Sequence, residues 1–432
     1  MSKIFRIIFI FLLAGCSLND PTGIWSKKKD KKNDLPNSNI LFENKKTIIE
    51  EFNIDLEFQL ENIKIDDDKL SYLTNNNGFK NFNSKLDLVS RFKFSKIENF
   101  KKIEPNIIFS NNDLIFFDNK GSILKFDKNT NLIWKTNIYS KSEKKLHPLI
   151  NLDKKDNLIV AADSLGKYYA LDSLNGNLLW QKDNISPFNS QIKIYKNCIL
   201  LVDSSNSLKC YSLVNGEEIW SHNTEKTFIN SIKKLSFVIK DDQVIFINSL
   251  GDLTSVSIDS GELNWQTTTY NTELFQEIMT LKNSIIIMNE NSIFFSNNKN
   301  EFYSIDIKTG LINWRQKISS DLRPSIVGNL ILTITPKGYL FLIDKKSGNI
   351  LKITNLLKKI NIKKRKNLIL TGFVLNKENI FVSTNKGLLL VVDLKTSVTK
   401  NILKFYGDKI SRPFIYNKHI YLLRDNSILK LN

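Results

Sequence analysis

Five tryptophans recur at near-equal intervals along this chain, and that periodicity restricts its fold more than any other feature. Trp134, Trp180, Trp220, Trp265 and Trp314 are 46, 40, 45 and 49 residues apart. Each closes a similar phrase: Asn131-Leu-Ile-Trp134, Gly176-Asn-Leu-Leu-Trp180, Gly216-Glu-Glu-Ile-Trp220, Gly261-Glu-Leu-Asn-Trp265 and Gly310-Leu-Ile-Asn-Trp314. Gly348-Asn-Ile-Leu-Lys352 repeats the phrase without its indole. A second series stands 14 residues before the tryptophan slot, at Gly166, Asn206, Gly251, Asn300, Gly338 and Gly387, with Gly121 one residue closer in the first copy. Only Gly and Asn occur there, the residues that most readily take positive φ in a tight hairpin. Between the two series lie Asp127, Asp172, Asp306, Asp344 and Asp393, with Ser212 and Ser257 in the remaining copies. Such side chains accept hydrogen bonds from the backbone of the turn that follows.

The stretches between these turns are short and rich in β-branched and aromatic residues, as in Asn157-Leu-Ile-Val-Ala-Ala162 and Lys167-Tyr-Tyr-Ala-Leu171, which predicts strands. A further strand precedes each set, often introduced by proline, as at His147-Pro148, Arg323-Pro324 and Arg412-Pro413. No intervening segment has a long helical period. Four-stranded antiparallel units repeating every 40–45 residues predict an all-β propeller. Seven copies end at Trp134, Trp180, Trp220, Trp265, Trp314, Lys352 and Asn401. An eighth begins at Arg412 and reaches Leu431 without an outermost strand. An open ring leaves an unpaired edge, so Leu88-Val-Ser-Arg-Phe-Lys-Phe94 is expected to complete that blade from the N-terminal side. The expectation is an eight-bladed propeller over 85–432, closed by N- and C-terminal strands.

The first residues describe delivery. Met1-Ser2-Lys3-Ile4-Phe5-Arg6 is a short basic start, followed by an apolar run too short to span a bilayer, the pattern of a signal peptide over residues 1–15. Leu12-Leu-Ala-Gly-Cys16 resembles the bacterial lipobox, which implies diacylation of Cys16 and stable anchoring by several acyl chains. Ser17 at the next position implies, by the same resemblance, delivery to the outer membrane. Residues 16–39 carry Lys27-Lys-Lys-Asp-Lys-Lys32 and little that is apolar, so they read as a flexible tether. Residues 40–84 form an N-terminal extension of uncertain structure, in which Thr47 to Phe58 suits an extra strand or a strap packed on the propeller.

The formal charge is +18, and removal of Lys3 and Arg6 with the signal leaves +16. A basic balance suits nucleic acid, anionic lipid or acidic partners; an exported chain never meets cytoplasmic nucleic acid. The cluster Lys363-Lys-Arg-Lys366 is expected to be a solvated loop. Cys198 and Cys210 sit on adjacent strands of one hairpin. A disulfide suits an oxidising compartment, but pairing directly across a hairpin is geometrically demanding, and the unbridged reading is preferred.

The phrases quoted above resemble the pyrroloquinoline-quinone-type propeller repeat, and the plan of lipobox, tether and eight repeats resembles the BamB family of outer-membrane β-barrel assembly lipoproteins. That resemblance implies a non-catalytic scaffold at the cell outer membrane, facing the periplasm. It would be a monomer within a hetero-complex, binding the periplasmic domains of a BamA-like protein and assisting insertion of other barrels. The family's partner-binding loops correspond here to 221–230 and 267–280, which do not reproduce the expected motifs, so no contact residue is assigned. The competing class is an envelope propeller binding a glycan or small ligand in its central channel.

Catalysis is not expected. The tryptophans recur at one strand position and are expected to pack between neighbouring blades. No Gly-x-Gly-x-x-Gly or Gly-Lys-Ser/Thr phrase occurs. His147, His222 and His419 lie in different copies, and the adjacent cysteines typical of quinoprotein enzymes are missing. No catalytic, cofactor-binding or metal-binding residue is assigned, and no cofactor is expected.

Overall fold

A computed structural model describes residues 49–57, 68–82, 85–225, 231–269, 279–405 and 407–432. The signal segment, Cys16 and the tether fall outside these residues. Eight four-stranded antiparallel sheets form an eight-bladed propeller. Seven blades are contiguous in sequence, over 108–136, 150–183, 188–223, 237–268, 287–316, 325–355 and 370–404. The eighth combines Phe414–Tyr416, His419–Leu423 and Ser427–Leu431 with the N-terminal strand Leu88–Lys93. Arg91 pairs Leu429 and Phe92 pairs Ile428, so the ring closes with the strand expected from the sequence.

Burial explains the composition of each blade. The second strand Cys198–Asp203 is buried along its whole length and the other second strands are buried from their second residue on; they read as largely apolar runs because both faces pack against neighbouring blades. The outer strands alternate, as in Leu132–Thr136, where Trp134 is buried between exposed neighbours. Hairpin geometry follows the Gly/Asn series: Gly166, Gly251 and Gly338 have φ of +92°, +92° and +96°, while Asn206 and Asn300 reach +62° and +70°. The repeated aspartates close the outer turns. Asp127 accepts from the amides of Asn129 and Asn131, and Asp306 from those of Lys308 and Thr309.

The tryptophans do join neighbouring blades, each against the glycine that opens the next copy's phrase. A Cβ built on Gly176, Gly216, Gly261, Gly310 or Gly348 would lie 2.5–2.8 Å from ring carbons of Trp134, Trp180, Trp220, Trp265 or Trp314, in that order. Four indoles also donate into the next blade: Trp134, Trp220, Trp265 and Trp314 reach the carbonyls of Ser173, Ile258, Ile307 and Lys345 at 3.0–3.2 Å. A β-bulge just before each indole sets its angle. The register of the third and fourth strands shifts beside Lys125, Ala170, Cys210, Ser255 and Ser304, the residues paired with the five tryptophans. The inserted residue bends the outer strand and re-aims the side chain beside it.

Two sequence-based expectations need correction. Cys198 and Cys210 are joined by a disulfide. Cys198 pairs with Ser212 and Cys210 with Leu200, so the cysteines are diagonal neighbours on one face, with Cα atoms 5.4 Å apart. The objection to directly opposed cysteines therefore does not apply. The basic cluster near residue 363 is a helical turn, Ile362–Arg365, whose N-cap Asn361 accepts from the Lys363 amide. It is solvated, as expected, but capped.

The described part of the extension is a strap. Phe52 bridges Ile353 on the outer strand of the sixth blade, with backbone hydrogen bonds of 3.0 and 3.1 Å. Glu51 pairs Lys358 and Glu57 pairs Lys395. Residues 68–82 then cross the propeller's inner strands, beginning with a helix, α1 (Asp68–Thr74).

Candidate functional site

The two ends of the propeller differ in what covers them. At one end, α1 and the residues after it close the central channel. The Tyr72 hydroxyl donates to Asp153 in the second blade, and Ile194 of the third blade donates its amide to Asp153. Asn75 donates to the carbonyls of Phe237 and Ile286 at 2.9 and 3.0 Å, in and beside the inner strands of the fourth and fifth blades. Asn76 exchanges hydrogen bonds with Ile326 of the sixth. Phe79 bridges Leu375 of the seventh, and Phe82 packs on Phe381. One segment thus ties six blades together with buried side chains. Burial pushes the Asp153 carboxyl up to about 6, against the lowering effect of its hydrogen bonds. Burial, then the neighbouring Asp153, raises the Tyr72 phenol well above its ordinary value.

The opposite end is open. Its rim consists of the loops leading from each outer strand to the next inner strand, and it displays apolar side chains that are exposed among the described residues. Ile185 is fully exposed, Ile362 is 77% exposed and Leu146 63%, and Ile232 and Met279 are half exposed. Of the two stretches 221–230 and 267–280 considered in the sequence, 226–230 and 270–278 fall outside the described residues.

Inside the rim is a funnel of about 790 Å³. Ile103, Leu149, Pro187 and Phe188 form its apolar wall, and Lys101, Lys102, Lys233, Lys234, Lys282 and Lys409 its basic one. Arg323 and Arg412 line a separate small cavity that shares Glu104 with it. Glu104 is the hub of these charges. Its side chain is 43% open to the channel and pairs with Lys233 at 3.0 Å. Although enclosure raises the Glu104 carboxyl, Lys233, Lys409 and Arg412 hold it below the usual carboxylate range.

The histidines remain dispersed. His147 contacts Asn119 and Glu98, His222 bonds the Gly261 carbonyl in the next blade, and His419 lies in the eighth blade. Among the described residues, no group of three His, Cys, Asp or Glu side chains could hold a metal ion. No helix of the described residues is long and apolar enough to cross a membrane, which leaves strand-built spans untouched. Sequence reasoning missed the funnel, since its cations come from separate loops far apart in the chain; Lys101-Lys102 and Lys233-Lys234 are adjacent pairs, in a sequence where such pairs are common.

The profile of a family described as outer membrane protein assembly factor BamB matches residues 119–354. Among solved structures, BamB from Moraxella catarrhalis superposes with a TM-score of 0.65 at 14% identity, over 80% of this chain and all of the other. A computationally designed protein, Ika8, gives 0.59 at 13% identity, over 78% of this chain and 99% of its own. A europium-containing methanol dehydrogenase gives 0.59 at 11% identity, over 78% of this chain and 84% of the enzyme. These likenesses show the fold. No curated protein matches the sequence.

Proposed function

The chain belongs to the family of the outer membrane protein assembly factor BamB, and from that membership we propose that it is a non-catalytic scaffold of outer-membrane β-barrel assembly. It is held at the outer membrane by lipid on Cys16, faces the periplasm, and binds the periplasmic part of a BamA-like protein.

The family match carries this reading, and the open rim supports it. Apolar side chains recurring on neighbouring loops, as at Leu146, Ile185 and Ile232, are the kind of patch that marks a protein-binding surface. Support for a role without catalysis comes from where the prominent residues are engaged. The tryptophans, the repeated aspartates and His222 hold seams and turns. The fold alone does not separate scaffold from enzyme, because a methanol dehydrogenase shares it.

The test is co-purification from native membranes in mild detergent, with intact chain and with an Ile185→Asp, Ile232→Asp variant. The intact chain should bring down a BamA-like protein, and the variant should fold normally and lose it. Absence of that partner from the intact preparation would reject the proposal, as would unchanged capture by the variant. Replacement of Cys16 by Ala should release the protein from the membrane fraction.

A further inference from the structure

We propose that the central funnel is a binding site for a compact, multiply charged phosphate-bearing anion, a role independent of partner docking on the rim. The most enclosed cations at the channel are Lys233, Lys234, Arg323, Lys409 and Arg412, with Lys193 beside α1. The carboxylates that interact with them are three: Asp321, paired with Lys233; Asp153, which is committed to Tyr72 and Ile194; and Glu104, which pairs with Lys233 and whose charge also acts on Lys234, Arg323, Lys409 and Arg412, one carboxylate shared among five cations. Several of these cations spend hydrogen bonds on neutral oxygens. Lys193 donates to the Leu73 carbonyl at 3.2 Å, Lys409 to the carbonyls of Phe100, Lys101 and Ile103, and Arg323 to that of Asn75. Asn77, with its amide oxygen turned toward them, accepts from both Arg323 and Arg412. These contacts satisfy donors without cancelling charge.

Lys234 lines the funnel with no hydrogen-bond or ion-pair partner among the described residues, and Arg323 Nε is buried without an acceptor. Enclosure lowers Lys234 and Lys409 to about 8 and Arg412 to about 10, against the raising effect of Glu104, with Arg323 and Arg412 further depressing Lys234 and Lys233 further depressing Lys409. An anion entering the funnel relieves that mutual repulsion.

Shape narrows the class. The 790 Å³ recess has the size of a small-molecule pocket. Arg323 and Arg412 line a separate small cavity of about 20 Å³ that shares Glu104 and Lys409 with the funnel, and α1 with Asn75–Asn77 crosses the far end of the channel, bonding inner strands of several blades, so an extended chain has no passage through. A tetrahedral phosphate concentrates up to two charges in one group, whereas each carboxylate side chain of an acidic peptide supplies one. The blind, cation-rich floor favours the former. The apolar wall of Ile103, Leu149, Pro187 and Phe188 would take the organic part of the ligand. The phosphate could be that of a soluble ester or of a lipid headgroup.

The experiment is calorimetric titration of the full chain with inorganic pyrophosphate at low and physiological salt. Binding should weaken with salt. Lys234→Gln, which removes a cation that makes no hydrogen bond among the described residues, should weaken it roughly tenfold, the scale of one charge-assisted hydrogen bond. Glu104→Gln should tighten it by a similar factor, and Lys308→Gln, on the opposite rim, should leave it unchanged. The opposed shifts of the two funnel variants separate a site from a loss of folding. A second arm uses phosphatidylcholine vesicles with and without phosphatidic acid. Capture by the phosphatidic acid vesicles, lost in Lys234→Gln, identifies a lipid source, and pyrophosphate binding without vesicle capture identifies a soluble one. No pyrophosphate binding, binding insensitive to both funnel variants, or tighter binding of a hexaglutamate peptide overturns the proposal.

Discussion

Lys352 Nζ donates to the carbonyl of Thr396 at 2.8 Å, crossing from the sixth blade to the seventh in the slot where five other seams carry an indole. The residue after Thr396 is Ser397, which holds a φ of +62° in the slot that is glycine opposite every tryptophan. Indole and glycine are therefore lost together. The eighth seam obeys the same rule: register places Ser90 in the tryptophan slot, opposite Lys430 and beside the same bulge, and Thr130 with φ +72° takes the glycine slot of the first blade. Where no ring fills the seam, a Cβ is tolerated.

Gly261→Ala should therefore be costly. Its Cβ would lie 2.6 Å from Trp220 Cε3 at a φ of +74°, and the left-handed backbone and the overpacking together predict a loss of roughly 2–4 kcal/mol. Ser397→Gly should instead be neutral or stabilising by less than about 1 kcal/mol, because it relieves positive φ and removes a buried hydroxyl that has no hydrogen-bond partner among the described residues. Urea unfolding of the two variants gives the comparison; equal midpoints would show that the seam yields freely.

A double-mutant cycle tests the coupling directly. Lys352→Trp alone places an indole against the Ser397 Cβ and removes the tie of Lys352 to Leu56 and Thr396. Adding Ser397→Gly should recover part of that loss, with a coupling energy on the order of 1 kcal/mol. Additive effects would mean that the paired absence of Trp and Gly has no energetic basis.

The plug makes stability depend on pH through Asp153. Its carboxyl titrates near 6 in the folded chain and near the ordinary ~3.9 when unfolded. The folded state thus holds its proton more tightly, so this group's contribution to stability is complete below the unfolded value and is lost as pH rises through 6. Asp153→Asn keeps an acceptor for Tyr72 and Ile194 and cannot ionise. Its stability relative to the native chain should improve between pH 5 and pH 8, measured as the difference in urea midpoints. A difference that stays flat or falls with pH would contradict burial of that charge.

Deletion of residues 85–96 removes the strand paired with Ser427–Leu431 and leaves a bare edge on the last blade. Aggregation or loss of cooperative unfolding is expected. A monomeric, equally stable product would show that closure by this strand is dispensable.

Much of the architecture was legible because its signals are local. The Gly/Asn series marks positions that need positive φ, the aspartates mark turns, and the strands between them are too short and too apolar for anything but a repeating sheet. Those signals recur once per blade, so counting them yields the blade number and reveals the missing outer strand. The disulfide was not legible, because it depends on a two-residue diagonal in the hairpin register. Nor was the plug. Asn75 and Asn76 look like loop residues in sequence, and only the approach of several inner strands to one point makes them buried donors. The funnel's basic wall was hidden in a chain where lysine is common throughout.

Chain chemistry alone determines the blade of this protein, its repetition eight times and the strand that closes the ring, since turn geometry and strand burial are written in residues close together. Tertiary structure alone decides which end is open, what seals the other, and which few of 62 lysines and arginines share one enclosed channel. Electrostatic repulsion and burial depend on distances between residues far apart in sequence, and a ring of blades is what sets those distances.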